Sequence, residues 1–262
     1  MLWWTTVQRR KESEMASSAA GAARPAPIGT LDTVVMDAPT PAVSAAFWRG
    51  LTGAQNVVED DDQWVTVETP DGWSIAFQPA PDLLPPEWPD QERPQQVHLD
   101  LQVPDVDAAV ERAVTLGATV LRANETWTTL ADPAGHPFDL CLATDVTGVR
   151  VMGVTFDVPD ASAAAAFWSR VLGEPVVHDG DGMAMVGNGR PLLFQSVENY
   201  RPPRWPDPEH PQQIHLDLWT AERSLDDAEA AVLEAGATRL PGGGDSFRVF
   251  ADPAGHPFCL LG

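Results

Sequence analysis

The sequence predicts an α+β fold built by tandem duplication. Three observations predict it. Blocks of sequence recur in order, each block sits in a β-α-β-β-β pattern, and glycines end the helical stretches. Phe47-Trp48 returns as Phe167-Trp168, 120 residues on. The run Gln95-Gln96-Val97-His98-Leu99-Asp100-Leu101 returns as Gln212-Gln213-Ile214-His215-Leu216-Asp217-Leu218, shifted by 117. Ala131-Asp132-Pro133-Ala134-Gly135-His136-Pro137-Phe138 returns at 251–258. Repetition at fixed spacing marks a repeated structural unit. The expected organisation is a disordered tail over residues 1–27, one domain over 28–145 and a second over 148–262.

Each copy divides into two β-α-β-β-β halves. In the first half of copy one, a strand over Leu31–Asp37 precedes a helix over Thr40–Leu51, then strands near 55–60, 63–69 and 73–78. In the second half, a strand over Gln96–Val103 precedes a helix over Asp105–Leu116, then strands near 118–122, 126–131 and 136–142. Val43, Phe47 and Leu51 recur four apart, as do Val106, Val110 and Val114, which predicts helices with those residues packed inward. Gly53, Gly117, Gly173 and Gly236 supply the left-handed residue that closes a helix. Thr40, Asp105, Asp160 and Ser224 are candidate N-caps.

The strands alternate. From 97 to 103, Val97, Leu99, Leu101 and Val103 face one way and His98, Asp100 and Gln102 the other. The helix covers the apolar face, which leaves the polar face to a cavity. By the same parity Asp139 and Cys141 share the cavity side of the last strand of copy one, and Cys259 that of copy two. Gln78 and Gln195 take the cavity side at the end of each fourth strand. Trp219 shares parity with His215 and Asp217. Trp127 and its counterpart Phe247 are further candidates for the cavity wall. His136 and His256 fall on the packed parity and are expected to be structural. The proline-rich segments carrying Trp88 and Trp205 join the halves of each copy, either as rigid connectors or across a cavity mouth.

Composition excludes several classes of function. The net charge of −22 repels nucleic acid and anionic lipid. No apolar run is long enough to span a bilayer. The only lysine, Lys11, lies in the tail, so the folded body has no amine for Schiff-base chemistry. Two cysteines make no disulfide framework, and the N-terminal stretch lacks the order of a signal peptide. The expected location is therefore the cytoplasm, with Met15 a candidate start. No partner beyond a small-molecule ligand is expected, and the chain is expected to be a monomer acting as a pseudo-dimer, or a homodimer.

The residues just described resemble a known family. Paired β-α-β-β-β units, an F-[YW]-x-x-x-x-G helix, an H-x-D-L strand and a D-P-x-G-x-P-F turn are similar to the vicinal oxygen chelate superfamily. Within it, the chain resembles the glyoxalase-like branch, related to bleomycin-resistance proteins and extradiol dioxygenases. The resemblance covers residues from about 28 to 262. It implies two paired units forming a curved, partly open, barrel-like sheet, with a site in the concavity. In metal-dependent members, ligands come from the first strand, the end of the fourth, the fifth and the eighth. Those positions are Thr33, Gln78, His98 and Asp139 in copy one, and Gly153, Gln195, His215 and Cys259 in copy two. Neither Thr33 nor Gly153 is the usual first-strand histidine. The implied site has His98, His215 and Asp139 as catalytic candidates. Asp100, Asp217, Trp219, Gln195, Cys259, Trp127 and Thr33 would contact substrate, and His98, Asp139 and Gln78 would hold a divalent metal ion. Two functions follow from the resemblance. One is a lyase, isomerase or epimerase acting on a small oxygenated molecule. The other is metal-free sequestration of a small molecule such as an antibiotic. Whether units pair within a copy or across copies is left open by the sequence.

Overall fold

A computed structural model describes residues 26–61, 64–89, 92–207, 209, 212–220 and 223–262. The expected tail falls almost wholly outside these residues. The carbonyls of Ala26 and Pro27 accept hydrogen bonds from Arg223.

Copy one runs β1 (Thr30–Ala38), α1 (Pro41–Thr52), β2 (Asn56–Asp61), β3 (Trp64–Glu68), β4 (Ser74–Pro79), β5 (Val97–Val103), α2 (Val106–Thr115), β6 (Thr119–Ala123), β7 (Trp127–Ala131) and β8 (Pro137–Leu142). Copy two runs β9 (Arg150–Val158), α3 (Ala161–Leu172), β10 (Val176–Gly180), β11 (Met183–Val186), β12 (Leu192–Ser196), β13 (Ile214–Trp219), α4 (Leu225–Ala235), β14 (Thr238–Gly243), β15 (Phe247–Ala251) and β16 (Pro257–Leu261). Both copies therefore show the expected order of elements. Asp105, Asp160 and Ser224 cap their helices through side-chain oxygens. Thr40 makes no such bond; Pro41 at the start of α1 pre-sets the turn instead. Helices α1, α3 and α4 end on left-handed glycines, whereas α2 ends on Leu116 one residue before Gly117.

The inward faces of two helices differ from the expectation. Val43 is 52% exposed and Val114 48% exposed. The buried stripe of α1 includes Ser44, Ala45, Phe47, Trp48 and Leu51, and that of α2 is Ala109 and Ala113. A four-residue step drifts around a helix of 3.6 residues per turn, so one member of each triplet rotates out to water.

The strands form two eight-stranded sheets. Sheet A has the order β14-β15-β16-β13-β1-β4-β3-β2, and sheet B the order β10-β11-β12-β9-β5-β8-β7-β6. The units thus pair across copies. Antiparallel β1–β13 joins the halves of sheet A and antiparallel β5–β9 those of sheet B, so each sheet takes one unit from each copy. The two spans 28–143 and 148–262 share one order of elements, yet neither makes a sheet alone. A reciprocal pair ties the centre together: the Gln96 amide donates to the Gln213 side chain (3.1 Å) and the Gln213 amide to the Gln96 side chain (3.3 Å).

Within a copy, the halves are joined by the helix and the last turn. Trp48 on α1 donates to Asp132 at 2.9 Å, and Trp168 on α3 donates to Asp252 at 3.1 Å. The same carboxylates close their own turns, accepting from the backbone of Ala134 and His136, and of Ala254 and His256. Phe47, Trp48 and Phe138 pack edge to face around one clasp, and Phe167, Trp168 and Phe258 around the other. This is why the F-W and A-D-P-A-G-H-P-F blocks recur together: they are two ends of one buried contact. Losing either tryptophan would cost about 3–5 kcal/mol. His136 and His256 are both 1% exposed, as their parity predicts. No helix among the described residues is long and apolar enough to cross a membrane.

Candidate functional site

Each sheet presents its polar parity on the face away from this core. In sheet B, β5 supplies His98 and Asp100, and the parallel neighbour β8 supplies Asp139 and Cys141. The register sets Asp100 beside Asp139. Like charges side by side on one face repel, and burial strengthens the repulsion. Burial first, then the Asp100 charge, pushes the Asp139 carboxyl up to about 6, against the pull of His98, Thr129 and Arg122. Burial disfavours the charged form of His98, but Asp100, Asp139 and Asp157 together outweigh it and its pKa ends raised. His98 Nε2 lies 3.8 Å from Asp100 Oδ2, near enough for charge but beyond a hydrogen bond. The Thr155 hydroxyl, on β9, donates to that same Asp100 oxygen and fixes the carboxylate.

These groups open into a cavity of about 250 Å³. Trp127, Met152, Leu193 and Met183 give it apolar walls, and Arg122 and Trp88 also border it. Met152 reaches it because the β5–β9 register slips between Asp100 and Leu101. Bulges commonly re-aim a side chain next to a site in this way.

Gln195 of copy two borders this cavity with His98, away from the His215 and Cys259 of its own copy, and donates to Asp157 at 2.6 Å. Gln95 donates to both oxygens of Asp157 at 3.2 Å. Asp157 and its counterpart Asp37 are site residues that sequence reasoning misses. A signal is present all the same: both lie on a first strand, 120 residues apart. Burial raises the pKa of each, opposed at Asp157 first by His98 and then by the Gln195 and Gln95 amides, and at Asp37 first by the Gln78 amide and then by His215 and His136.

Sheet A repeats the plan with other atoms. His215 Nε2 lies 3.5 Å from Asp217 Oδ1, and Cys259 stands beside Asp217 where Asp139 stands beside Asp100. Burial, and then the Asp217 charge, push the Cys259 thiol upward, so it is held as the neutral thiol. Thr33 is engaged with Asp32 (2.9 Å) and the Ser74 hydroxyl (3.1 Å). Trp219 is 47% exposed, beside Leu261, which neighbours Phe247 in turn.

Crossed pairing corrects one expected grouping. Gln78 sits in sheet A, where its amide donates to Asp37, and it cannot join His98 and Asp139 in sheet B. The group that does converge is His98, Asp100 and Asp139, with ligand atoms all within 4.8 Å of one another. The first-strand position is closed as well. A side chain on Gly153 would meet Leu193 at 2.3 Å and the Pro191 carbonyl at 2.8 Å. The converging groups fit a divalent cation. Imidazole plus two carboxylates is an anionic donor set of mixed nitrogen and oxygen ligands, and His98 Nδ1 and Asp139 Oδ1 are buried without a hydrogen-bond partner among the described residues. His215, Asp217 and Cys259 form a second, softer group, with His215 Nδ1 and Asp217 Oδ1 likewise unpartnered.

Comparison with known proteins gives the fold a lineage. The glyoxalase-like domain model matches residues 33–141 and again residues 153–261. Glyoxalase I from Zea mays is similar in structure, with a TM-score of 0.62 at 14% identity, covering 88% of this chain and 92% of that one. A putative dioxygenase from Bacillus subtilis gives 0.57 at 13% identity, covering 90% of this chain and 86% of that one. No curated protein shows significant sequence similarity. Both copies are matched over most of their length, and the chain therefore belongs to the glyoxalase-like domain family, as a tandem member of the vicinal oxygen chelate superfamily.

Proposed function

We propose that the sheet B cavity is the working site of an enzyme that rearranges or cleaves a small oxygenated molecule by proton transfer. One observation carries this reading: buried Asp100 and half-buried Asp139 stand side by side next to buried His98, an arrangement that costs stability and concentrates proton-handling groups. His98, Asp100 and Asp139 would hold a divalent metal ion. Such an ion acts as a Lewis acid on substrate oxygens when bound. Thr155 keeps Asp100 in one orientation, while Trp127 and Leu193 hold the carbon skeleton away from water. In the ion-free site His98, whose pKa is raised, takes the proton. The Zea mays relative is a glyoxalase I, in keeping with lyase or isomerase chemistry on this scaffold.

The test is metal analysis of the purified protein and of two variants. Asp139→Asn should weaken ion binding at least about 100-fold, and Cys259→Ser should leave it unchanged. Metal lost from the cysteine variant alone would move the working site to sheet A. A second reading is metal-free sequestration of an apolar ligand, and the Trp219–Leu261–Phe247 row on the cavity side of sheet A favours it. That reading requires binding that survives chelation and is lost in Trp219→Ala.

A further inference from the structure

Arg122 lies on β6 at the border of the sheet B cavity, and its guanidinium stands over the Trp88 ring, 4.5 Å from the centroid. Stacking holds the planar fork by its face and leaves its N–H edges free to donate. No side chain or carbonyl among the described residues accepts from it. Other sheet arginines in this acidic chain are engaged: Arg150 with Gln102, and Arg248 with Asp226 and Glu229.

The duplication supplies an internal control. The counterpart of Arg122 is Gly242, and the counterpart of Trp88 is Trp205. A side chain built on Gly242 would begin 3.7 Å from Trp205, so the tryptophan lies against the same strand position in both sheets. The tryptophan is therefore seated without an arginine in sheet A, and seating it does not explain Arg122 in sheet B.

The cavity that results is bipolar. A cation stands at its border, two carboxylates and an imidazole stand on β5 and β8, and apolar side chains line the wall. We propose that Arg122 anchors an acidic headgroup, so that the ligand of this cavity is a small organic anion, a carboxylate or phosphonate on a short apolar or aromatic body. The headgroup takes the guanidinium edge as a two-point acceptor. The rest of the molecule then reaches toward His98 and Asp139. The proposal rests on the reading of sheet B as the working site and narrows its substrate class.

Calorimetric titration of the full chain tests it with three probes of one shape: phenylphosphonate, benzoate and the neutral benzamide. Wild type should bind both anions and prefer them to benzamide at least tenfold. Arg122→Gln should lose that preference while its melting temperature stays put, because the side chain is exposed. Arg122→Lys should recover only part of it, since an ammonium lacks the fork. Equal anion affinity in wild type and Arg122→Gln overturns the anchor. So does a wild type that binds none of the three probes. Either result leaves the working-site reading standing on its own test, release of the ion by Asp139→Asn.

Discussion

The two cavities share a scaffold and differ in chemistry. On sheet B the strand-eight position is Asp139, its neighbour two residues on is Cys141, and Thr129 and Thr155 face the same space. On sheet A the counterparts are Cys259, Leu261, Val249 and Val35. Four matched positions thus trade oxygen or thiol groups for a thiol or hydrocarbon, and Arg122 becomes Gly242. His98/His215 and Asp100/Asp217 are kept, as are the Asp157/Asp37 carboxylates with their glutamines. The comparison teaches that the strand-five pair belongs to the scaffold of both cavities, while the side chains around it decide what each cavity does.

A first test converts one cavity toward the other. Cys259→Asp places a second carboxylate beside Asp217 and completes a set like that of sheet B. Ion binding at sheet A should tighten at least about tenfold, so that titration finds one additional tight site per chain. An unchanged stoichiometry would mean that Thr155 and Thr129, which sheet A lacks, are also required.

A second changes the frame that both cavities share. Asp252 is buried and accepts from Trp168 and from two backbone amides. Burial disfavours its charge, but His256 and these hydrogen bonds outweigh it and hold its pKa below the usual carboxylate value. A depressed carboxylate stabilises the fold above its unfolded pKa, and that stability is lost as pH falls through the folded value. Asp252→Asn should therefore cost about 2–4 kcal/mol at neutral pH. The difference from wild type should narrow in the acid range below about pH 4. Denaturant titrations at several pH values read both, and a difference that grows toward acid would contradict the assignment.

Much of this is legible in the sequence. Period-two alternation places His98, Asp100 and Asp139 on one face, and the recurring blocks locate the turns. Side-chain parity does not identify the neighbouring strand, however. Strands β5 and β13 carry nearly the same run, Gln-Gln-[Val/Ile]-His-Leu-Asp-Leu, so β1 or β9 could face either with equal satisfaction of the pattern. The resemblance, carried over copy by copy, therefore groups Gln78 with His98 and Asp139, and only the strand order separates them. Arg122 gives no sequence signal, because an arginine in a strand whose residues are all exposed reads as a solvated charge. Only the cavity and the tryptophan under it give it a role.

The smallest expected effect is a gain. In the ion-free protein Asp139→Asn relieves the repulsion with Asp100 and should raise stability by about 1 kcal/mol, while the corresponding Cys259→Ser relieves none. Melting curves in chelator at pH 8 should rank Asp139→Asn above wild type by a few degrees. A lower melting temperature would mean that Asp139 serves the fold more than the site.

Crossed pairing also orders the birth of the molecule. Every strand of sheet B lies between Val97 and Ser196, one unbroken stretch of chain. Sheet A is made from the stretches before and after it, 30–79 and 214–261. On the ribosome, sheet B can close while the C-terminal quarter is still in the tunnel or not yet made. Strand β1 must wait for β13, its edge unpaired, with the loop between them spanning more than half the chain. Until β13 arrives, the edge of β1 is open to any strand of matching register, which is the exposure that strand exchange exploits.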